Sequence, residues 1–190
     1  LITAGPTHEP IDPVRFIGNH SSGKQGIAIA AALAAQGADV HLVLGPTAEI
    51  PPTNIKTTRV TTAQEMLNAC GSIMPVDVAI CTAAVADWAV TKPAKQKMQK
   101  RASGEAPKLL LTANPDILAT IAHCPKNRPK LVIGFAAETE NLEKNARAKL
   151  AKKGCDWLLA NDVSGDKVFG KDSNSVLFLN GKKKPEKWQG

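Results

Sequence analysis

The chain has 190 residues, of which 43% are hydrophobic and 22% charged, a composition typical of a globular domain that buries a core. Lys and Arg exceed Asp and Glu by 24 to 17, and the net charge of +7 favours anionic partners. Aromatic residues reach only 4% and Tyr is absent, which argues against a single-stranded nucleic-acid binder and favours small anions. The sequence shows no signal peptide and no membrane-length apolar run, so we expect a cytoplasmic protein that binds neither membranes nor nucleic acid.

Strand and helix patterns alternate through the first half of the chain, as in a parallel sheet covered by helices. In chain order, the predicted elements are a strand at 1–4, a helix at 24–36, strands at 40–44 and 55–60, a helix at 62–70 and a strand at 77–82. Gly37 is placed to end the first helix in a left-handed cap. Thr62-Ala63-Gln64-Glu65 has the capping-box pattern that begins the second helix.

The pattern breaks at residues 91–108, where six basic residues and one Glu surround apolar residues that show no sustained period. We expect this polar, glycine-containing segment to be a mobile lid that orders when an anion binds. Beyond it, the predicted elements are a strand at 109–111, a helix beginning at Asn114-Pro115-Asp116 with Asn114 as cap, a strand at 131–135, a helix at 141–153 and a strand at 157–160. Residues 176–179 and the Asn180-Gly181 pair predict a β-hairpin.

Together these elements predict one α/β domain over residues 1–190. It is built on a Rossmann-like, mostly parallel sheet with helices on both faces and a C-terminal β-hairpin at the sheet edge. Its four cysteines, Cys70, Cys81, Cys124 and Cys155, form no C-x-x-C pair. We interpret them as buried structural thiols in a reducing compartment.

Residues 19–26, read N-H-S-S-G-K-Q-G, form the most informative segment, because small polar residues, Gly and Lys lie directly before a predicted helix. Unpaired N–H groups and the positive end of the helix dipole at such a start favour a bound phosphate. Simple N-capping by Ser21 or Ser22 is the alternative explanation for these serines.

Two generic nucleotide motifs fit the sequence poorly. Residues 18–24 match G-x-x-x-x-G-K, but Gln25 stands where a P-loop has the Ser or Thr that holds Mg²⁺, and the predicted strand ends well upstream. No G-x-G-x-x-G follows the first strand, which weakens the main alternative, a Rossmann-like NAD(P)-dependent reductase. A non-catalytic module that binds nucleic acid is disfavoured by the scarcity of aromatic residues.

Five motifs occur in a fixed order along the chain: G-P-T-x-x-P-x-D-x-V-R-x-I-x-N-H-S-S-G-K-x-G at 5–26, A-A-V-A-D-W at 83–88, N-P-D-I at 114–117, G-F-A-A-E-T at 134–139 and A-N-D-V at 160–163. In this combination the chain resembles the bacterial CTP-dependent phosphopantothenoylcysteine synthetases, which are phosphopantothenate–cysteine ligases of coenzyme A biosynthesis. In many bacteria this family forms the C-terminal domain of a bifunctional protein whose N-terminal half is a flavoprotein decarboxylase. The resemblance therefore implies a fragment of a longer protein, with FMN only in the upstream half.

The reaction implied by the resemblance has two steps. The carboxylate of 4′-phosphopantothenate attacks the α-phosphate of CTP, which releases pyrophosphate and forms an acyl-cytidylate, and the amino group of cysteine then displaces CMP. Charge that develops on phosphate oxygens requires cations, fixed N–H donors and Mg²⁺ rather than a nucleophilic side chain. The resemblance also implies a homodimer in which the lid of one subunit can complete the site of its neighbour.

The resemblance places the nucleotide at several positions. Ser21 would hold phosphate oxygens, and Asp87 would face the Mg²⁺ that bridges the triphosphate, with a turn residue as the alternative for Asp87. The other nucleotide-binding positions are Cys81, Thr82, Ala83, Asn114, Pro115, Asp116, Ile117, Phe135, Lys149 and Lys153, besides the lid lysine Lys97. A core Phe is the alternative for Phe135, and surface lysines on one helix face are the alternative for Lys149 and Lys153.

Three residues are implied in catalysis. Asn19 fits the asparagine that steadies the acyl-cytidylate for attack by cysteine, because an amide offers a donor and an acceptor without a negative charge. Arg15 would hold the substrate or the intermediate. The family's K-x-K-K motif reads Lys97-Met98-Gln99-Lys100 here, and the catalytic role is assigned to Lys97 with Lys100 as its rival.

Overall fold

The computed structural model describes residues 1–100, 104–164, 175–181 and 183–189. The strands are β1 Ile2–Ala4, β2 His8–Pro10, β3 Phe16–Gly18, β4 His41–Leu44, β5 Lys56–Arg59, β6 Val78–Cys81, β7 Trp88–Val90, β8 Leu111–Ala113, β9 Leu131–Glu138, β10 Trp157–Asp162, β11 Ser175–Asn180 and β12 Glu186–Gln189. The helices are α1 Lys24–Ala35, α2 Ala63–Ile73, α3 Ile117–Ala122 and α4 Leu142–Lys153. No helix within these residues is long and apolar enough to cross a bilayer.

Eight of the strands form one sheet in the order β12-β11-β10-β9-β6-β1-β4-β5. The strands from β5 to β10 run parallel, and β11 and β12 are antiparallel additions at one edge. Read outward from β1, the chain first builds β4 and β5 on one side and then returns to build β6, β9 and β10 on the other. This is the Rossmann order, and the predicted α/β fold with its edge hairpin is confirmed.

The sheet is covered on both faces, as the alternation of elements predicts. One face packs against α2, α3 and α4 through a buried cluster that includes Met66, Ile121 and Leu150. The other face packs against α1, where Ala30 lies over Ile2 and Leu42 of the neighbouring strands. Burial of these side chains accounts for the nearly unbroken apolar sequence of the central strands.

The predicted ends of several elements shift in the structure. The capping box of α2 is present, since the Thr62 hydroxyl accepts from the Glu65 N–H and the Glu65 carboxylate accepts from the Thr62 N–H. The helix continues to Ile73, three residues beyond its predicted end. Strand β9 likewise extends past residue 135 to Glu138, because its pairing with the parallel strand β10 continues to that residue.

Two short antiparallel ribbons, β2–β3 and β7–β8, lie outside the main sheet. The sequence pattern predicts neither ribbon, because their strands are three residues long and several of their apolar side chains are exposed, among them Phe16 and Trp88. The strand expected at 109–111 is present as β8, displaced to Leu111–Ala113, and it pairs with β7 rather than with the parallel sheet.

Candidate functional site

The strand order reverses between β1 and β6, and this switch point is where open α/β sheets place their ligands. Because β1, β6 and β9 are parallel, their carboxyl ends meet at one edge of the sheet. The chain leaves this edge at Gly5, Thr82 and Thr139. Of the residues assigned from the sequence, Cys81, Thr82 and Ala83 lie at the end of β6, Ser21 precedes α1, and Asn19 contacts the turn after β6. Phe135 instead lies within β9, and Lys149 and Lys153 lie in the last turns of α4.

Helix α1 begins almost in contact with the strand ends. A Cβ on Gly26 would stand 2.3 Å from Thr82 Oγ1 and 2.4 Å from Ala4 Cβ, so only glycine permits this approach. Gly23 occupies the N-cap with φ +78, and a Cβ there would stand 3.1 Å from the Gly5 backbone. The sequence lacks a contiguous dinucleotide fingerprint, yet these glycines provide the same tight turn and close helix–strand packing.

The two serines before α1 do not act as its N-cap. Gly23 holds that position without a side-chain cap in the part of the chain that the structure describes. Ser22 contributes only a long contact, with its hydroxyl 3.4 Å from the Lys24 N–H nitrogen. The simple capping explanation for Ser21 and Ser22 is therefore wrong, and the helix start keeps the donors that suit an oxyanion. Phosphate binding by Ser21 stays a prediction.

Asn19 is fixed over the turn that follows β6. Its side-chain amide donates to the carbonyl oxygens of Val85 at 3.1 Å and Ala84 at 3.4 Å. The same turn is fastened by Thr7, whose hydroxyl accepts from the Ala86 N–H at 3.0 Å. With the amide nitrogen occupied in this way, the Asn19 carbonyl oxygen accepts no hydrogen bond from the described residues and remains able to receive one.

The Cys81-Thr82-Ala83 segment lies at the switch point, where its backbone is held against β1. Both the amide and the hydroxyl of Thr82 donate to the Thr3 carbonyl oxygen, at 3.0 and 2.6 Å. Burial raises the pKa of the Cys81 thiol to about 12, so this cysteine is not a thiolate nucleophile. All four cysteines are free thiols. The Cys81 side chain therefore has a structural role, and any contact of Cys81 with a nucleotide would be made by its backbone.

The segment at 114–117 is joined to the turn that carries Asp87 by hydrogen bonds from Asn114. The Asn114 N–H donates to the Asp87 carbonyl oxygen at 2.9 Å, and the Asn114 side chain donates to the Ala86 carbonyl oxygen at 2.8 Å. The expectation that Asn114 caps the helix, with Pro115 at its first position, is wrong. The cap is Asp116, whose carboxylate accepts from the Ala119 N–H at 3.1 Å, while the Asn114 side chain is engaged by the Ala86 carbonyl oxygen.

The two candidate lysines of α4 already hold acidic partners. Lys149 Nζ lies 2.7 Å from Glu138 Oε1 at the end of β9, and the two groups form an ion pair. Lys153 pairs with Asp116 at the start of α3. Partial burial alone would raise the pKa of Asp116, but the hydrogen bond from Lys153 and the Ala119 N–H lower it. Both lysines thus share one helix face directed at strand and helix ends.

Phe135 lies one residue past the last pairing between β9 and β6, where Gly134 stands opposite Cys81. Its partly buried ring packs on the face that carries α1. This position is compatible with a core residue and with a ring beside the nucleotide, so contact with the nucleotide stays a prediction.

Arg15 is joined to the segment that carries Lys97 through a contact that the sequence does not predict. The Asp12 carboxylate accepts from Arg15 Nε at 3.0 Å and from the Met98 N–H at 3.1 Å. Arg15 Nη2 in turn donates to the Met98 carbonyl oxygen at 3.0 Å. The lysine assigned to catalysis therefore immediately precedes a backbone unit that is held from both sides, whereas Lys100 lies two residues beyond it.

Sequence reasoning missed Asp12, Thr7 and Glu138 as residues that shape the site. Asp12 carries a readable signal, because Asp followed by Pro and two residues later by Arg forms a turn in which the carboxylate accepts from Val14 and Arg15. Thr7 and Glu138 act through contacts with distant segments that no local pattern reveals.

The described acidic residues at this edge are too few to enclose Mg²⁺ by themselves. They fit a Mg²⁺ ion that is also bound by water and phosphate oxygens. Among the described residues, no group of three or more His, Cys, Asp and Glu lies together. Magnesium usually takes one or two carboxylates and completes its shell with water and phosphate oxygens. Asp87 is exposed at this edge and is suited to supply such a carboxylate.

The fold and this edge define a class of protein: an α/β domain of Rossmann order with glycine-packed strand ends and a polar insert after its first strand. The chain belongs to the family described as the DNA/pantothenate metabolism flavoprotein C-terminal domain, which it matches over residues 1–190. The resemblance found in the motifs is thereby confirmed at the level of the family.

Known proteins of this family are closely similar. The chain is 47% identical over 186 residues to the coenzyme A biosynthesis bifunctional protein CoaBC of Haemophilus influenzae, covering 96% of this chain and 46% of that protein. It therefore spans about half the length of the curated relatives it matches. The crystal structure of the C-terminal domain of a CoaBC is 39% identical with a TM-score of 0.78, over 98% of this chain and 83% of that one.

A more distant neighbour shares the fold alone. It is a Cab2 variant solved in complex with phosphopantothenate-cysteine, 18% identical with a TM-score of 0.74, over 99% of this chain and 78% of that one.

Proposed function

We propose that this domain is a phosphopantothenate–cysteine ligase that activates 4′-phosphopantothenate with CTP and joins it to cysteine through an acyl-cytidylate. Membership of the family, 47% identity to a CoaBC protein and the phosphopantothenate-cysteine complex of the Cab2 neighbour support this assignment. The observation that carries it is the convergence of the motifs on one sheet edge, where Asn19 is fixed on the Ala84 and Val85 carbonyls.

In the first step the substrate carboxylate attacks the α-phosphate of CTP, a new C–O–P link forms, and the bond to pyrophosphate breaks. Negative charge grows on phosphate oxygens, so fixed donors at the start of α1 and the ammonium of Lys97 stabilise it. Mg²⁺, held in part by Asp87, would neutralise the triphosphate. Arg15 stands beside the same segment and is suited to bind the anionic substrate.

In the second step the amino nitrogen of cysteine forms a bond to the activated carbonyl carbon, and the bond from that carbon to the CMP oxygen breaks. The nitrogen loses a proton as the amide forms. We expect the Asn19 carbonyl oxygen to accept from the incoming amine, while the Asn19 nitrogen stays bound to the Val85 carbonyl oxygen. An amide is suited to this task because it orients the nucleophile without adding charge beside the phosphate.

Nucleotide selection is proposed to involve Lys149 and Lys153. In this structure their ammonium groups pair with Glu138 and Asp116. A bound nucleotide would exchange with one or both acidic partners, so that each lysine donates to the base or to phosphate. The 114–117 segment and Phe135 would line the rest of the nucleotide.

The domain is proposed to work as a homodimer. Two ribbons, β2–β3 and β7–β8, carry exposed apolar side chains, including Phe16 at 53% and Trp88 at 56% exposure. A second copy that covers these ribbons would also approach the Lys97 segment, which lies beside them.

The 1–190 unit is proposed to be one domain of a longer, bifunctional protein. The curated relatives are about twice as long as the match, and their name describes two activities. The additional part would be the FMN-containing decarboxylase that produces the next intermediate from the ligase product.

The test is to incubate the protein with 4′-phosphopantothenate, cysteine and Mg²⁺, and to measure pyrophosphate with each nucleoside triphosphate in turn. We expect pyrophosphate release with CTP but with no other nucleoside triphosphate, and a product with the mass of the cysteine amide. Omission of cysteine should leave an acyl-cytidylate. Oxidation of NADPH without any nucleotide-dependent release of pyrophosphate would instead favour the reductase.

A further inference from the structure

Asp12 stands out among the acidic residues of the insert that follows β1. Its side chain is fully buried, with 0% exposure, although it lies in a surface loop. One carboxylate oxygen accepts from the N–H groups of Val14 and Arg15, both at 2.9 Å. The other accepts from the Arg15 guanidinium and from the Met98 N–H. Two oxygens thus perform two tasks: one shapes the turn, and the other reaches a distant segment.

The Met98 backbone is held on both sides by this pair. Its N–H donates to Asp12, and its carbonyl oxygen accepts from Arg15 Nη2. The two contacts join segments that are 86 and 83 residues apart in sequence. Residues 91–100 contain no helix or strand, so few backbone hydrogen bonds of their own hold them in place.

The peptide unit that Asp12 holds is the one between Lys97 and Met98. A planar peptide fixes the position of the Cα on either side of it, so this contact orients the backbone from which the Lys97 side chain extends. Lys100 is separated from the held unit by Gln99 and gains less from it. A second tie, from the Ala94 N–H to the Ile11 carbonyl oxygen at 2.8 Å, keeps the segment attached independently of Asp12.

We propose that Asp12 is a positioning residue for carboxyl activation, because it holds the Lys97–Met98 peptide against the Arg15 turn and so places the Lys97 ammonium at the reacting phosphate. This inference rests on the proposed ligase function and extends it by one residue. Asp12 touches neither substrate nor nucleotide, and its effect on the reaction passes through Lys97.

The charge of Asp12 is secure in this setting. The hydrogen bond from Arg15 holds the pKa of the carboxyl well below its ordinary value, against the opposing effect of burial, and the Met98 N–H adds to the depression. The carboxylate therefore stays an acceptor throughout the pH range of the reaction.

Asp12→Asn is the sharpest variant, because the isosteric amide can keep its oxygen on the Val14 and Arg15 N–H groups. Its nitrogen then faces the donors of Arg15 and Met98, so the turn is kept and the hold on Met98 is lost. We expect the rate of pyrophosphate release to fall about 10- to 100-fold, the size of effect that follows small misplacement of a reacting group, with a smaller change in the KM for CTP. Asp39→Asn, at an exposed pair with Lys56, is the matched control and should leave the rate unchanged.

The decisive measurement is a double-mutant cycle with Lys97→Ala. If Asp12 acts through Lys97, adding Asp12→Asn to Lys97→Ala should slow the reaction little further. Multiplicative losses would overturn the positioning role, as would an unchanged rate in Asp12→Asn. Absence of CTP-dependent pyrophosphate release from the wild-type protein would instead overturn the ligase function itself.

A second pair of variants applies if Asp12→Asn unfolds. Met98→Pro removes the N–H that donates to the Asp12 carboxylate and leaves the Asp12–Arg15 pair intact, whereas Met98→Ala keeps that N–H. We expect Met98→Pro to slow pyrophosphate release as Asp12→Asn does, and Met98→Ala to keep the wild-type rate. Equal rates in these two variants would overturn the proposal.

Discussion

The carboxyl edge of the parallel sheet and residues 91–100 are held in different ways. At the edge, backbone atoms and glycines fix the geometry: Gly26 lies against Thr82 and Ala4, and successive turns are tied by main-chain hydrogen bonds. Residues 91–100 depend on a few contacts with distant segments, chiefly those of the Asp12 and Arg15 side chains to Met98 and the backbone hydrogen bond from Ala94 to Ile11. The edge that is proposed to hold the nucleotide is thus fixed by the backbone, whereas the segment that carries Lys97, the proposed catalytic lysine, depends on contacts that single substitutions can remove.

The largest expected effect lies at the preformed edge. Asn19→Asp should leave the acyl-cytidylate formed but convert it about 100- to 1000-fold more slowly, the cost of losing a well-placed polar contact in a transition state. The new carboxylate would also face the Ala84 and Val85 carbonyls, which accept and cannot donate. Rapid quench with mass detection of the intermediate checks this result. Normal conversion without accumulation would remove Asn19 from the second step.

The second prediction concerns the held segment. Lys97→Ala should lower the rate of acyl-cytidylate formation about 100-fold, because a cation at the transferred phosphate is lost. Lys100→Ala, two residues beyond the Met98 unit, should change this rate only slightly and serves as the matched control. Single-turnover measurements without cysteine isolate the step. The opposite ranking of the two variants would show that the register is wrong and that Lys100 acts.

A third prediction tests how closely α1 approaches the strand ends at Gly26. Gly26→Ala should lower the free energy of unfolding by about 1–3 kcal/mol, because its Cβ would overlap Thr82 and Ala4. Gly71→Ala is the control: no atom lies within 4 Å of its Cβ, and its position in α2 predicts stabilisation by roughly 0.5–1 kcal/mol. Urea unfolding measures both. Tolerance of alanine at residue 26 would contradict the close helix–strand approach.

The smallest expected effect concerns pH. The folded-state pKa of Asp116 lies below its unfolded value, so its pairing with Lys153 stabilises the fold above the unfolded pKa and is lost as pH falls through the folded one. Because the pair is partly exposed, Asp116→Asn should cost only about 0.5–1 kcal/mol at pH 7. The difference from wild type should shrink toward pH 3. A difference that does not change with pH would show that the Asp116 charge does not stabilise the fold, since Asn caps a helix about as well as Asp.

Local patterns predicted the elements that stabilise themselves. The capping box at Thr62, the alanine-rich α1 and the Asn180-Gly181 hairpin all carry their signals within a few residues, and the structure shows each of them. Within the hairpin turn, Lys182 lies outside the described residues. The edge of the sheet was predicted from motifs, since the loops that follow parallel strands must meet there.

The features that escaped prediction depend on distant contacts. Asp12 reaches Met98 across 86 residues, and neither segment has a periodic pattern. Asn114 resembles a cap in sequence, but its side chain binds the Ala86 carbonyl and the cap falls to Asp116. The ribbons β2–β3 and β7–β8 are too short for their alternation to be read.

The acidic partners of Lys149 and Lys153 give this edge its own counterions. A stray polyanion gains little there, because each ammonium group it meets is already neutralised and the exchange returns almost no net charge. Only a ligand whose shape lets it replace both carboxylates at once recovers the lost pairing. Under the proposed function, these two ion pairs would let a domain with a net charge of +7 favour its nucleotide over other phosphates.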